Sequence, residues 1–333
     1  MKKYFLILVA ASVSLLAACT AEEVEETTYS YMNGSVRNDA PEYVLKGDLV
    51  TISGKGIIHP EKPVFKWYFA GLLADTLTAD KVTVQMPDSI AKFTYMEYAT
   101  HPDFYSSSGS FVLNVVDTAF NTSLTGVSRC GKSIVDSRDG KQYSYVTIGH
   151  LDWFSCNLAY SSGAAFKKSP VMDPLFGRFY HWNTATGGQT GSGLGGGPQG
   201  ACPEGWSVPT NEDWEDLALS ISGERHSFSD SWNGLGDIAS SDAYFQGERM
   251  WPYSPDNGHT NLFGWNALPI GRTSHGHETL SGFGSYGFWW SSSQKDDSYA
   301  YYRYIHYDMG SFPMNFADKE DFGASVRCVR IAR

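Results

Sequence analysis

Positive charge is scarce in this chain. Lys and Arg number 25 against 36 Asp and Glu, a formal net charge of -11 over 333 residues. No basic run longer than the Lys2-Lys3 pair occurs. A nucleic-acid partner, whose phosphates demand a cationic face, is therefore not expected. Long apolar stretches are also few: none of 18 or more residues follows Leu16, so the remainder is expected outside the membrane. No His-Glu-x-x-His, P-loop or nucleophile elbow is present, and neither a cofactor nor catalysis is expected. Cysteine is limited to five residues. Aromatics, by contrast, are plentiful: 10 Trp, 20 Tyr and 19 Phe make 15% of the chain. That suits globular, β-rich structure and excludes a chain disordered throughout.

The N-terminus reads as an address. Lys2 and Lys3 precede an apolar run from Tyr4 to Leu16 broken only by Ser12 and Ser14. The run is short for a membrane span and fits a secretory signal. Leu16-Ala17-Ala18-Cys19 resembles the lipobox of bacterial lipoproteins. That resemblance implies removal of residues 1–18 and lipidation of Cys19, which would hold the protein in a membrane by several acyl chains. Glu22-Glu23-Val24-Glu25-Glu26 follows, in a tether expected over 19–28. It resembles the surface-export signal of Bacteroidota lipoproteins and equally reads as a solvated linker. The implied location is the outer membrane, lipid-anchored and facing the cell exterior.

Residues 29–125 predict an all-β, immunoglobulin- or PKD-like sandwich, read as a spacer. Strands are expected over Asp48 to Ser53, ended by Gly54-Lys55-Gly56, and over Pro63 to Phe69, Lys81 to Met86, Phe93 to Tyr98 and Ser110 to Val116. Val82 and Val84 share one face, and Trp67 is the expected core Trp. Residues from 128 to 333 differ in composition, holding nine of the ten Trp and the four remaining cysteines. A helix is expected from Thr210, a good N-cap with Asp213 three positions on, through Trp214, Leu217, Ala218 and Ile221 to Gly223. Strands are expected over Gly287 to Ser292, Tyr299 to Ile305 and Ala324 to Arg330, with a hairpin turn at Asp139-Gly140.

Several spaced motifs carry a resemblance. They include Asp136-Ser137-Arg138-Asp139-Gly140-Lys141-Gln142-Tyr143, Trp153 with Asn157-Leu158, and Gly177-Arg178-Phe179-Tyr180-His181-Trp182-Asn183. Cys202-Pro203-Glu204-Gly205-Trp206-Ser207-Val208-Pro209-Thr210, Phe288-Trp289-Trp290-Ser291-Ser292 and Ser325-Val326-Arg327-Cys328-Val329 complete them. In this order, residues 128–333 resemble the Fibrobacter succinogenes major paralogous domain. The resemblance implies an α+β domain of C-type-lectin-like fold and no fixed activity. Segments around Pro209 to Trp214 and at Arg327-Cys328-Val329-Arg330 are also similar to formylglycine-generating enzymes.

By itself the cysteine count leaves three pairings open for Cys130, Cys156, Cys202 and Cys328. The lectin-like resemblance implies Cys202–Cys328, with Cys130–Cys156 closing the opening hairpin. Gly191-Ser192-Gly193-Leu194-Gly195-Gly196 lacks the strand and helix of a dinucleotide site and is expected to be a flexible loop. His275-Gly276-His277-Glu278 has no third ligand placed and reads as an exposed loop rather than a metal site. The calcium-binding motifs of true C-type lectins are absent; Trp232-Asn233-Gly234 lacks the Asp.

The candidate ligand loop is Trp251-Pro252-Tyr253-Ser254-Pro255-Asp256-Asn257-Gly258-His259. Trp251 and Tyr253 offer ring faces for a sugar, and Asp256, Asn257 and His259 offer polar groups for its hydroxyls. The competing reading is a loop packing its own aromatics beneath it. The expected function is non-catalytic binding or adhesion towards a glycan or a surface protein. The rivals are an accessory subunit of a surface assembly such as a pilus, and an enzyme of the formylglycine-generating type.

Overall fold

A computed structural model describes residues 29–70, 76–117, 127, 131–222 and 231–333. The leader, Cys19, the acidic tether, Cys130 and Gly223 lie outside these residues.

In the N-terminal half, period-2 patterning sets two sheets face to face. Val64–Phe69 alternates, burying Phe65, Trp67 and Phe69, and Lys81–Gln85 buries Val82 and Val84. One sheet runs in the order Ser30–Tyr31, Phe104–Val116, Ala91–His101, Val64–Phe69, Thr76–Thr78. Tyr43–Leu45 also joins Phe104–Val116, in parallel. The other sheet is Asn33–Asn38, Leu49–His59, Lys81–Gln85. Side chains of both sheets form one core around Trp67, whose indole N–H donates to Ala79 O at 2.9 Å.

One strand departs from expectation. Gly54-Lys55-Gly56 does not end it; the strand continues to His59. Pairing with Asn33–Asn38 shifts register here, so the glycines bend the strand instead. A Cβ on Gly54 would lie 2.5 Å from the Phe65 ring and 2.7 Å from Glu97 Oε1, which leaves room only for hydrogen.

The C-terminal half is built from small antiparallel sheets and long connections. Lys132–Val135, Gln142–Ile148, Leu151–Phe154 and Val329–Ile331 form one sheet, and Tyr286–Gln294, Tyr299–His306 and Met314–Asp318 another. The expected turn closes the first hairpin: Gly140 N–H donates to Asp136 O at 2.8 Å. Ala324 to Arg330 is not one continuous strand. Ala324 and Ser325 bridge singly to Tyr180 and Trp289, and regular pairing begins at Val329. The segment threads between elements, because Leu158 N–H reaches Val326 O and Phe154 N–H reaches Cys328 O.

The expected helix spans Asn211–Ser222. Its capping box is reciprocal: Asp213 N–H donates to Thr210 Oγ1 at 3.1 Å, and Thr210 N–H donates to Asp213 Oδ2 at 2.8 Å. Trp214, Leu217 and Ala218 bury against Trp153, Trp265 and Trp289. None of the described helices is long and apolar enough to cross a membrane.

The halves share a core of their own. Tyr43 and Val116 from the sandwich pack with Phe166, Met172, Phe176, Met250 and Ile270 from the C-terminal half. The Tyr43 ring lies 6.2 Å from Phe166 and 5.7 Å from Phe245.

Candidate functional site

Residues singled out in the sequence fall into buried and open groups. Cys202 and Cys328 are bonded, with Cα atoms 5.8 Å apart, and neither is exposed. Arg327, beside Cys328, is a structural strut. Its guanidinium donates to Asn157 Oδ1 at 2.7 Å, Phe154 O at 3.1 Å and Asn266 O at 2.7 Å, and to Trp265 O. It also lies 4.2 Å from the Trp265 ring centroid.

The loop at 251–259 turns most of its candidate groups inward. Trp251, Asn257 and His259 are buried, whereas Tyr253 is 78% exposed and Asp256 is exposed. Trp251 stacks on His259, whose Nδ1 is 2.8 Å from Ser240 Oγ. Burial pushes the His259 imidazole down to about 4, so it is neutral near neutral pH. Asn257 Nδ2 reaches Met309 O. These three are therefore spent on internal packing. All ten Trp are buried, so none offers a flat face to a sugar.

The glycine-rich loop is pinned rather than flexible. Gly195 N–H donates to Asp213 Oδ1 at 2.6 Å, Thr210 Oγ1 to Gly193 O at 3.0 Å and Gly191 N–H to Ser292 O at 3.1 Å. A Cβ on Gly197 would sit 1.9 Å from Val208 O. Close backbone approach explains the glycine there. The His275–Glu278 segment is a turn in which His275 and Glu278 are exposed. His277 is half-buried, stacks on His181 at 3.9 Å and bonds Thr273 Oγ1 at 2.6 Å. Burial pushes His277 down to about 4. Among the described residues no group of three or more His, Cys, Asp or Glu could hold a metal.

A concavity lies where the halves meet, a cleft of about 700 Å³. That is within the ~300–1,000 Å³ of small-ligand sites. The sandwich contributes Arg37, Asn38, Glu42, Lys92 and Asn114 to its walls. Lys167, Lys168, Gln246, His277 and Glu278 come from the C-terminal half. Bonds across the joint fix this geometry. Lys167 Nζ is 2.6 Å from Glu42 Oε1, and Glu42 N–H donates to Lys167 O at 3.1 Å. Tyr43 N–H donates to Ser169 Oγ at 2.9 Å. Lys168 Nζ donates to Asn38 O at 3.2 Å and pairs with Glu278 at 3.1 Å.

Backbone strain collects in the same place. Nine non-glycine residues have positive φ among the described residues, and four of them line the cleft: Lys167, Lys168, Gln246 and His277. Such conformations cost about 1–3 kcal/mol each and gather at functional sites. Neither the strain nor the joining of residues 37, 92, 168 and 277 leaves a local sequence signal; only the adjacent Lys167-Lys168 pair is visible in the chain. A second depression of about 470 Å³ adjoins the cleft through shared Tyr43 and Gln246, and Pro252 lines it.

A comparison with known families agrees with the motif pattern. The family model described as Fibrobacter succinogenes major domain matches residues 146–330, more than half of the chain. No curated protein matches in sequence. Among solved structures, the CARDB domain of a Pyrococcus furiosus protein, crystallised in complex with di-metal ions, is similar to part of the chain. It is 15% identical, covers 27% of this chain and 92% of its own, and has a TM-score of 0.19. The chain belongs to the Fibrobacter succinogenes major domain family.

Proposed function

We propose that this family member is a lipid-anchored outer-membrane protein that faces the cell exterior and binds a glycan or a surface protein without catalysis. The observation that carries the reading is the strained, polar cleft between the halves, built on a rigid joint. The sandwich is then a wall of the site as well as a spacer over 29–125. The C-terminal half is read as C-type-lectin-like: its long connections rest on small sheets, and a disulfide ties the segment before the helix to the segment before the last strand. An enzyme of the formylglycine-generating type would need neighbouring cysteines in a groove late in the chain; only Cys328 lies late, and it stands in a buried disulfide.

The location rests on the leader and on Leu16-Ala17-Ala18-Cys19. Palmitate labelling that disappears in Cys19→Ala checks it. The function is tested with a glycan array on the chain from Thr20 to Arg333, which contains every described residue, with calcium and with EDTA. Capture of surface proteins by the same material runs in parallel. Selective glycan binding that survives EDTA is the expected result. A blank array with a blank capture sinks the reading, and recovery of a stable assembly partner replaces it with an accessory-subunit role.

A further inference from the structure

The cleft has a sign. The whole chain is acidic, yet Arg37, Lys92, Lys167 and Lys168 meet only Glu42 and Glu278 in its walls. Lys167 and Lys168 are taken up by those two carboxylates. Arg37 and Lys92 make no ion pair or side-chain hydrogen bond among the described residues, and both are exposed. His277 and its stacking partner His181 are held towards the neutral form by burial, so they add no charge. The net field inside the cleft is therefore positive on an otherwise negative molecule. Low-dielectric walls focus such a field and favour an anion. The same walls carry hydroxyl and amide groups, Ser110, Thr279 and Gln246, which suit a ligand rich in hydroxyls. The adjoining depression extends the site past Gln246 to Pro252, next to exposed Tyr253. Two consecutive depressions fit a linear chain of ring-sized units better than one compact ligand.

We infer that the cleft and its neighbour hold an acidic linear oligosaccharide, with Arg37 and Lys92 receiving its carboxylate or sulfate groups. This rests on the binding reading proposed above and names the ligand class of that site. Arginine presents a planar fork that pairs two oxygens of such a group, while lysine acts as a point charge. Tyr253 supplies a ring face for a sugar unit leaving the second depression. An acidic peptide would satisfy the cations alone. It would leave the hydroxyl-matching groups unused, and the rings of Tyr43 and Tyr95 are buried in the walls rather than offered as anchors.

The test is calorimetric titration of the chain from Thr20 to Arg333 with four probes. These are an oligogalacturonate, a sulfated galactan oligosaccharide, a neutral cello-oligosaccharide and polyglutamate. The expected result is binding of one or both acidic saccharides, weakening as salt is raised. Arg37→Glu with Lys92→Glu should reduce that affinity by about tenfold or more. The thermal midpoint should stay unchanged, because both side chains are exposed. The carboxylate and sulfate arms separate the two sources of anion. The inference is overturned if neither acidic saccharide binds, if the neutral probe binds as tightly, if polyglutamate shows the same Arg37 and Lys92 dependence, or if the double variant binds normally. A neutral glycan bound independently of Arg37 and Lys92 removes this inference and leaves the binding function standing. Only a blank in the array and capture removes both.

Discussion

Glu97 is a carboxyl group placed inside a hydrophobic sandwich. It is fully buried beside Trp67 and Phe65, and among the described residues only Asn38 Nδ2 donates to it, at 2.9 Å. Desolvation raises it from 4.5 to about 7. Between those values the folded chain holds a proton that the unfolded chain releases. Stability is therefore full below the lower value and declines as pH rises through the upper one. Glu97→Gln, which keeps the shape, should flatten that decline, as read from urea midpoints at about pH 5 and about pH 8. Equal slopes for both proteins would refute it. Asn38 also lines the cleft and accepts from Lys168, so this acid stands one side chain from the proposed site. A lone Glu in an otherwise alternating strand gives no sequence sign of this. Its exposure depends on which face of Ala91–His101 meets Gly54 across the sandwich.

At the scale of elements, legibility followed the range of the interactions. The helix Asn211–Ser222 could be placed to the residue because its signals are local: a cap, a partner at the third position and an apolar stripe. Thr210→Ala should cost about 1 kcal/mol through the lost cap. The loss should be larger here, because Thr210 Oγ1 also holds Gly193 O and Asp213 holds Gly195 N–H. Hydrogen exchange should then rise across residues 187–200 as well as in the first helical turn; exchange confined to the helix would contradict the pinned loop. Strands of the sandwich were legible from alternation, and the hairpin turn from Asp-Gly. What failed was reading glycine as punctuation. Gly54 is glycine because Phe65 and Glu97 occupy its space, and Gly197 because Val208 O does. Both reasons lie in distant sequence. The loop at 251–259 misled for a related cause. Its residue types suit a sugar, but Trp251 and His259 stack on each other in the interior.

For the whole molecule, the decisive feature is the apolar joint. Domain interfaces that are small and polar allow the parts to move independently. Here Tyr43, Val116, Phe166, Phe176 and Met250 form a continuous core between the halves. Calorimetry should show one cooperative transition. Tyr43→Ala, which removes a buried ring from the joint, should lower stability by roughly 3–5 kcal/mol and begin to split the transition into two. Two transitions already in the unmodified chain would argue against a rigid joint. The same rigidity preserves the cleft, whose opposite walls belong to different halves. That pairing of distant segments is why the site escaped the sequence, although the family and the disulfide did not.

The C-terminal sheet also fixes an order of events during biosynthesis. Arg330 meets the Asp152 carboxylate across 178 positions of sequence, and Val329–Ile331 is the strand that completes the pairing of Leu151–Phe154. A nascent chain that has emerged as far as the helix still lacks this strand and the second half of its disulfide. Trp153 and Phe154, buried in the finished protein, can meet Trp214 and Trp206 earlier, but their strand gains its second partner only when Val329–Ile331 pairs. High-separation pairing of this kind folds slowly. The C-terminal half is thus closed by pairing that spans most of its own length, while the sandwich, with a core of its own, depends on none of it.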